Sequence, residues 1–176
     1  MKQKPMPIYG TKASQTVTPE GKLIQPMIAG VKVHQQPTQQ DQRGTVFELY
    51  SPHWRFDDLP LVYAYAVTIR PGVVKGWALH ERHVDRYFFV SGTMKLVLYD
   101  PRPESPTMGL VTVQYFSELN RSLVSIPTFV YHAIENVGTA ESLLISFPSE
   151  PYDHADPDKY VLPPDSDLIP YRFGAK

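Results

Sequence analysis

Short apolar runs, each stopped by turn residues before a helix could grow, constrain this chain more than any other feature. LVYAYAVTIR (61–70) runs into Pro71-Gly72. TMKLVLYD (93–100) places Met94, Leu96 and Leu98 on one face of a strand. LVTVQYF (110–116), LVSIP (123–127), VYHAIEN (130–136) and SLLISF (142–147) continue the series. Upstream, MIAGVKV (27–33) and RGTVFELY (43–50) read as two more strands, and HQQPTQQDQ (34–42) and SPHWRFDDLP (51–60) as the connections that follow them. DPRPESPTMG (100–109) is a long turn. Eighteen prolines in 176 residues, with many aromatic and β-branched side chains, argue against long helices. Eight or more short strands separated by turn chemistry predict an all-β sandwich or jelly-roll barrel.

The chain reads as one domain over 1–176. Residues 1–25 form an extended or loosely held arm, about 40–147 the barrel, and 148–176 a proline-rich, acidic tail that wraps it irregularly, with room for one helical turn. There is no internal repeat. Net charge is −1 and pI about 6.6, which gives no reason to expect nucleic acid or a membrane surface as partner. No apolar run approaches the ~20 residues of a spanning helix. The start, MKQKPMPIYG, lacks the apolar core of a secretory signal. With no cysteine, disulfide and thiolate chemistry are excluded, and the expected setting is cytoplasmic.

The stretch Gly72–Gly92, GVVKGWALHERHVDRYFFVSG, carries the chemistry. If 74–80 is a strand, Ala78 and His80 face the same side, and Asp85 follows a short turn. Such a hairpin can hang an imidazole and a carboxylate into one cavity, where hydrogen bonding to Asp85 would orient His80 and raise its basicity. The spacing resembles the first cupin motif. Gly72, Ala78, His80, Asp85 and Gly92 fall on its Gly, first His, second His, Glu and Gly positions. Pro127, Phe129, His132 and Asn136 resemble the second motif, with Phe in place of Gly. The expected fold is therefore a cupin jelly roll.

A narrower resemblance spans roughly 40–170. DQRGTVFE (41–48), KGWALH (75–80), YDPRPESPTMG (99–109) and LNRSLVSIPTFVYHAI (119–134) are similar to segments of the dTDP-4-dehydrorhamnose 3,5-epimerase family. That family acts on nucleotide-linked keto sugars. It removes acidic protons beside a ketone and returns them on the other face, with a His–Asp base, a Tyr acid and a Lys near the developing oxyanion. The resemblance implies Arg43, Glu48, Lys75 and Arg121 as substrate-binding residues, since guanidinium groups fork onto phosphate. It also implies a homodimer that exchanges N-terminal strands. This chain departs from the family set. The base position falls on Ala78, the lysine position on Asp85, and the tyrosine position near Ser146.

Three functions follow. The first is an epimerase or isomerase of a dTDP-linked 4-keto-6-deoxy sugar. Its catalytic set is His80, Asp85 and His132, with Tyr131 or Tyr152 as acid and Asp165 or Asp167 as the partner of the base; it needs no cofactor. In the second, His80, Asp85 and His132 hold a divalent metal (Fe, Mn or Zn). In the third, the barrel binds a sugar nucleotide or carbohydrate without turnover. Against all three stand the structural roles. His80 can be a satisfied interior histidine and His83 a solvated turn residue. Trp77 and Tyr87 read as packing, and Tyr63, Tyr65 and Phe88 as core or as a base-stacking slot. The Asp100–Arg102 turn reads as structural. His34, His53 and His154 receive no role.

Overall fold

The computed structural model describes residues 9–21 and 23–174. Its strands are β1 (Lys32–Gln35), β2 (Gln39–Asp41), β3 (Gly44–Val46), β4 (Tyr65–Ile69), β5 (Val74–Leu79), β6 (Asp85–Ser91), β7 (Met94–Tyr99), β8 (Val111–Phe116), β9 (Ser122–Ile126), β10 (Tyr131–Asn136), β11 (Ser142–Ser146) and β12 (Tyr160–Val161). A single 3-10 turn, Pro52–Trp54, is the only helical element among the described residues. One sheet runs β1-β9-β6-β11-β4 and the other β12-β5-β10-β7-β8, with every pairing antiparallel; β2 and β3 form a separate ribbon. This is a cupin jelly-roll sandwich. No helix among the described residues is long and apolar enough to cross a membrane.

Alternation builds the core. Met94, Leu96 and Leu98 of β7 point between the sheets, as their spacing predicts, and meet Phe89, Val124 and Leu144 from the facing sheet. Each such side chain contributes about 1.5–3 kcal/mol on burial. The outward faces are covered too, which is why these strands read as near-continuous apolar runs rather than strict alternation. Phe47, Leu49, Tyr50, Trp54 and Phe56 lie over Phe88, Leu123 and Phe147 on one sheet. Ile169, Tyr171 and Phe173 of the tail lie over Trp77, Val97 and Ala133 on the other.

Three expected strands differ. The one predicted over 27–33 begins only at Lys32, because Ile28 and Val31 turn into the core as plugs. The one predicted over 43–50 ends at Val46, and the bulky residues beyond it form the outer cover rather than a ladder. The one predicted over 61–70 pairs only from Tyr65. The tail wraps the sandwich as expected, but it adds strand β12 beside β5 and forms no helical turn. The arm residues Tyr9–Gly21 and Leu23–Gln25 are exposed apart from half-buried Thr18, and a bridge joins Val17 to Leu23. Residues 1–8 and Lys22 of the predicted arm lie outside the described set.

Two connections show how local chemistry sets the frame. Buried Asp100 accepts from Arg102 Nε (2.7 Å), Ser105 Oγ (2.5 Å) and Thr107 Oγ1 (2.6 Å). Burial pushes this carboxyl up, but those donors prevail and hold it well below the usual carboxylate range. The same turn bonds both backbone groups of Ala29, fastening the Ile28 plug. Asn136, the last residue of the second cupin motif, donates to Ile69 O (2.7 Å) and Ala140 O (2.8 Å) and is purely structural. Phe129, which stands where that motif has glycine, adopts φ +60°.

Candidate functional site

Strand β5 approaches β10 so closely that a Cβ at Gly76 would lie 2.6 Å from Ala133 Cα and 2.8 Å from His132 O. Only glycine fits there, at φ +127°. Beyond it Ala78 borders the cavities described below, while the neighbouring Trp77 packs under the tail. His132 of β10 pairs directly with Ala78. From the other sheet, β6 contributes Asp85 and Tyr87.

These residues converge on one carboxylate. Asp85 is 2% exposed. Its Oδ2 accepts from Tyr87 O–H (2.5 Å) and lies 3.0 Å from His80 Nε2 and 3.3 Å from His132 Nε2. Its Oδ1 lies 3.5 Å from His83 Nε2. Burial pushes the Asp85 carboxyl up, but the surrounding imidazoles of His132, His80 and His83 prevail and hold it well below the usual range. Tyr87 moves the other way, since burial and the Asp85 charge push its phenol well up. It remains a hydrogen-bond donor at any ordinary pH.

A residue of the tail organises the imidazoles. Asp158 accepts the successive backbone N–H groups of Glu81, Arg82 and His83 (2.9, 2.9 and 3.1 Å), an anion nest closed by its own chain. Its Oδ2 also lies 2.8 Å from His83 Nδ1, and its carbonyl 2.5 Å from His80 Nδ1. Arg82–Asp156 (2.8 Å) and Tyr160–Glu81 (2.9 Å) strap the tail down on either side.

The ring nitrogens of His80 both face oxygen acceptors, the Asp158 carbonyl and Asp85 Oδ2. Burial pushes its pKa down, but the Asp85 hydrogen bond and charge and the Asp158 carbonyl raise it above the usual histidine value. His83 differs. Its Nδ1 is held by a carboxylate rather than a backbone carbonyl, and its ring borders the same cavity as that of His80.

Two adjoining cavities open here. One, about 390 Å³, is bordered by His80, His83, Tyr152 and Asp158; the other, about 280 Å³, by Lys75, His132 and Leu144. Tyr65, Ala78, Tyr87 and Lys159 border both.

The structure thus brings together His80, Asp85 and His132, and places Tyr152 and Lys75 on the cavity walls. Other residues singled out in the sequence lie elsewhere. Tyr131 alternates with His132 and faces outward, stacked on Tyr99. Arg43 is paired with Asp41 on the exposed β2–β3 ribbon, and Glu48 accepts from Trp54 Nε1. Arg121 is buried against Phe47 and donates to Val90 O and Thr38 Oγ1. Asp167 is tied to Arg172, and neither Asp165 nor Asp167 borders the cavities. The tail acids that border the first cavity are Glu150, Asp153 and Asp158, and Asp158 is the one bonded to the imidazoles. His83 and Asp158 carry little sequence signal, because each sits in irregular chain and acquires its place only when the tail folds onto the turn.

The donor set also suits a metal. Ligand atoms of His80, His83 and Asp85 lie within 4.8 Å of one another. Asp85 Oδ1 and His132 Nε2 are buried without a well-formed hydrogen bond, facing only His83 Nε2 at 3.5 Å and Asp85 Oδ2 at 3.3 Å. The Nδ1 atoms of all three histidines sit against oxygen acceptors, the outer support that metal-bound imidazoles carry.

The jelly roll gathers His80 and His132, from the segments that resemble the two cupin motifs, around the Asp85 carboxylate between two adjoining cavities. The family model described as polysaccharide biosynthesis C-terminal domain matches residues 39–160. The probable low-salt glycan biosynthesis epimerase Agl13 of Haloferax volcanii is 33% identical over 141 residues, covering 80% of this chain and 90% of that protein. The spore coat polysaccharide biosynthesis protein SpsL of Bacillus subtilis is 32% identical over 154 residues, 85% of this chain and 99% of that protein. A solved dTDP sugar isomerase from Desulfovibrio desulfuricans G20 shares the fold at TM-score 0.77 and 22% identity, covering 85% of this chain and 94% of that one. The chain belongs to the polysaccharide biosynthesis C-terminal domain family, and it shares its fold with solved dTDP-sugar epimerases and isomerases.

Proposed function

We propose that the protein is an epimerase or isomerase of a dTDP-linked 4-keto-6-deoxy sugar, with its base carried by His83 and Asp158. One observation supports this above the rest: His83 Nδ1 lies 2.8 Å from the Asp158 carboxylate on the cavity wall that Ala78 shares. A carboxylate on Nδ1–H fixes the tautomer, so that Nε2, 3.5 Å from Asp85 Oδ1, is the nitrogen that takes a proton, with the Asp85 charge beside the imidazolium. An imidazole–carboxylate pair is thereby restored near a position where alanine can move no proton. His80 faces an oxygen acceptor at each ring nitrogen, so neither nitrogen is free to take a substrate proton, and the ring supports Asp85 instead. Lys75 offers a cation to the diphosphate from the second cavity.

The relatives' names support the sugar class. One is named as a glycan biosynthesis epimerase, and a structural neighbour as a dTDP sugar isomerase. The exposed β2–β3 ribbon that carries Arg43 favours a homodimer. Every residue of the β2–β3 ribbon is exposed, and a two-stranded ribbon is marginal without a covering partner.

A second reading rests on the two orphaned atoms, Asp85 Oδ1 and His132 Nε2. There His80, His83, Asp85 and His132 hold a divalent cation, which would supply a Lewis acid to a substrate oxygen. The deciding experiment follows a dTDP-linked 4-keto-6-deoxy hexose by NMR with chelator-treated protein. A new stereoisomer without added metal supports the first reading. Turnover that returns only with Fe(II), Mn(II) or Zn(II) supports the second. Tight binding without turnover under either condition contradicts both and leaves a binding protein.

A further inference from the structure

The turn between β5 and β6 takes its shape from the tail. Four successive backbone N–H groups, from Glu81 to Val84, all go to tail side chains. Those of Glu81, Arg82 and His83 meet the Asp158 carboxylate. That of Val84 donates to Ser149 Oγ at 2.9 Å. Two tail residues thus satisfy every main-chain donor of the segment that carries His83.

Ser149 lies on an extension of the sheet. β11 pairs with β6 as far as Ser146, opposite Tyr87. Phe147 N–H then donates to Arg86 O (2.8 Å) and Ser149 N–H to Val84 O (3.0 Å). A regular antiparallel ladder would return a main-chain carbonyl to Val84 N–H. Here the chain leaves the sheet instead, and Glu150, Pro151 and Tyr152 border the first cavity. The Ser149 hydroxyl stands in for that carbonyl, so the tail turns away to wall the cavity without stranding a part-buried donor. Ser149 itself borders neither cavity. It clasps Val84 at two points, between His83 and Asp85 in the chain. The His83 ring lies against that of His80, centroids 4.0 Å apart, with Nε2 3.5 Å from Asp85 Oδ1. Both distances depend on the backbone at 83–85.

We infer that Ser149 is a positioning residue for His83, acting through Val84 and not through the substrate. This role rests on the epimerase reading above, in which His83 takes the proton. Asp158 holds one ring nitrogen and the first three N–H groups of the turn; Ser149 holds the end that enters β6. Without its hydroxyl the imidazole keeps the Asp158 partner but loses its aim at bound substrate. The loss falls on proton transfer rather than on binding, since misplacement by an ångström costs on the order of 100-fold in rate while the cavity walls stay in place.

The test compares Ser149→Ala, Ser149→Val and Ser149→Thr in the full chain, with a dTDP-linked 4-keto-6-deoxy hexose in deuterated water. Ser149→Ala and Ser149→Val should lower the kcat of deuterium wash-in by about 10- to 100-fold, with KM within about 3-fold of wild type. Ser149→Thr, a side chain of valine's size that keeps the hydroxyl, should recover most of that rate. Assay well below each variant's melting temperature keeps the folded fraction constant, so a lost kcat is not lost protein. Nitrogen-15 NMR of the His83 ring reads its placement without turnover: shifted signals are expected in Ser149→Ala and Ser149→Val, and wild-type signals in Ser149→Thr. Wild-type kcat in Ser149→Ala, a loss confined to KM, or Ser149→Thr no better than Ser149→Val overturns the role. Wild-type protein that washes in no deuterium overturns the epimerase reading instead. The ring signals then decide the positioning alone: their shift in Ser149→Ala supports it, and signals identical to wild type overturn it.

Discussion

The Asp158 carboxylate lies 2.8 Å from His83 Nδ1 and closes a contact between residues 75 positions apart. The same carboxylate caps three backbone N–H groups, so tail, turn and imidazole form one unit. Burial raises this carboxyl, but the N–H groups of Glu81, Arg82 and His83 prevail and bring it to about 2, against an ordinary 3.8. A lowered folded-state pKa contributes stability that is complete above the unfolded value and is lost as pH falls through the folded one. Melting temperature should therefore drop as pH falls from about 4 towards 2. Asp158→Asn should shallow that acid limb, part of which belongs to Asp100 and Asp85. An unchanged slope contradicts the assignment.

Arg86 fastens the outer cover. It is fully buried and donates to Phe147 O (2.7 Å), Pro60 O (2.7 Å) and Asp57 Oδ1 (3.2 Å). Arg86→Met should cost about 3–5 kcal/mol in urea unfolding, because it strands the Asp57 carboxylate away from water. Adding Asp57→Asn should recover part of that loss. A single-variant cost below about 1 kcal/mol would show that the pair does not hold the 47–60 segment.

Phe129 sits in the left-handed region at φ +60°. Phe129→Gly and Phe129→Ala lose the same partly exposed ring, and only the first relieves the backbone. The glycine variant should be more stable than the alanine variant by about 1 kcal/mol. Equal stabilities would mean that this backbone carries no strain.

Gly76→Ala forces a methyl group to within 2.6 Å of Ala133 and 2.8 Å of His132 O. With φ +127°, the expected loss is about 1–3 kcal/mol from strain alone. The β5–β10 pairing that places His132 should loosen, visible as faster amide exchange in 131–136. Wild-type protection there would contradict the close approach.

Much of this was legible in the sequence where side-chain period and burial coincide. Met94, Leu96 and Leu98 announced a strand and a core face together, and the cupin spacing brought His80, Asp85 and His132 into one place. The segment 47–56 was not legible, because large apolar residues covering the outside of a sheet look like those within a strand. Two-residue β12 lies in a proline-rich tail with no alternation to read. His83 and Asp158 meet only through the nest, a tertiary arrangement of backbone groups that no local spacing encodes. The tyrosine expected near Ser146 is absent from the chain there, yet β4 sets Tyr65 across from Ser146 on the neighbouring strand.

The role proposed for His83, oriented by Asp158, is to take the proton beside the ketone. Deuterium wash-in from solvent, measured for wild type, His83→Gln and His80→Gln with a dTDP-linked 4-keto-6-deoxy hexose, tests it most directly. Wild type should wash deuterium in, His83→Gln should lose about 100- to 10,000-fold of that rate, and His80→Gln should lose much less. Full wash-in by His83→Gln, with the loss appearing only in His80→Gln, would contradict it.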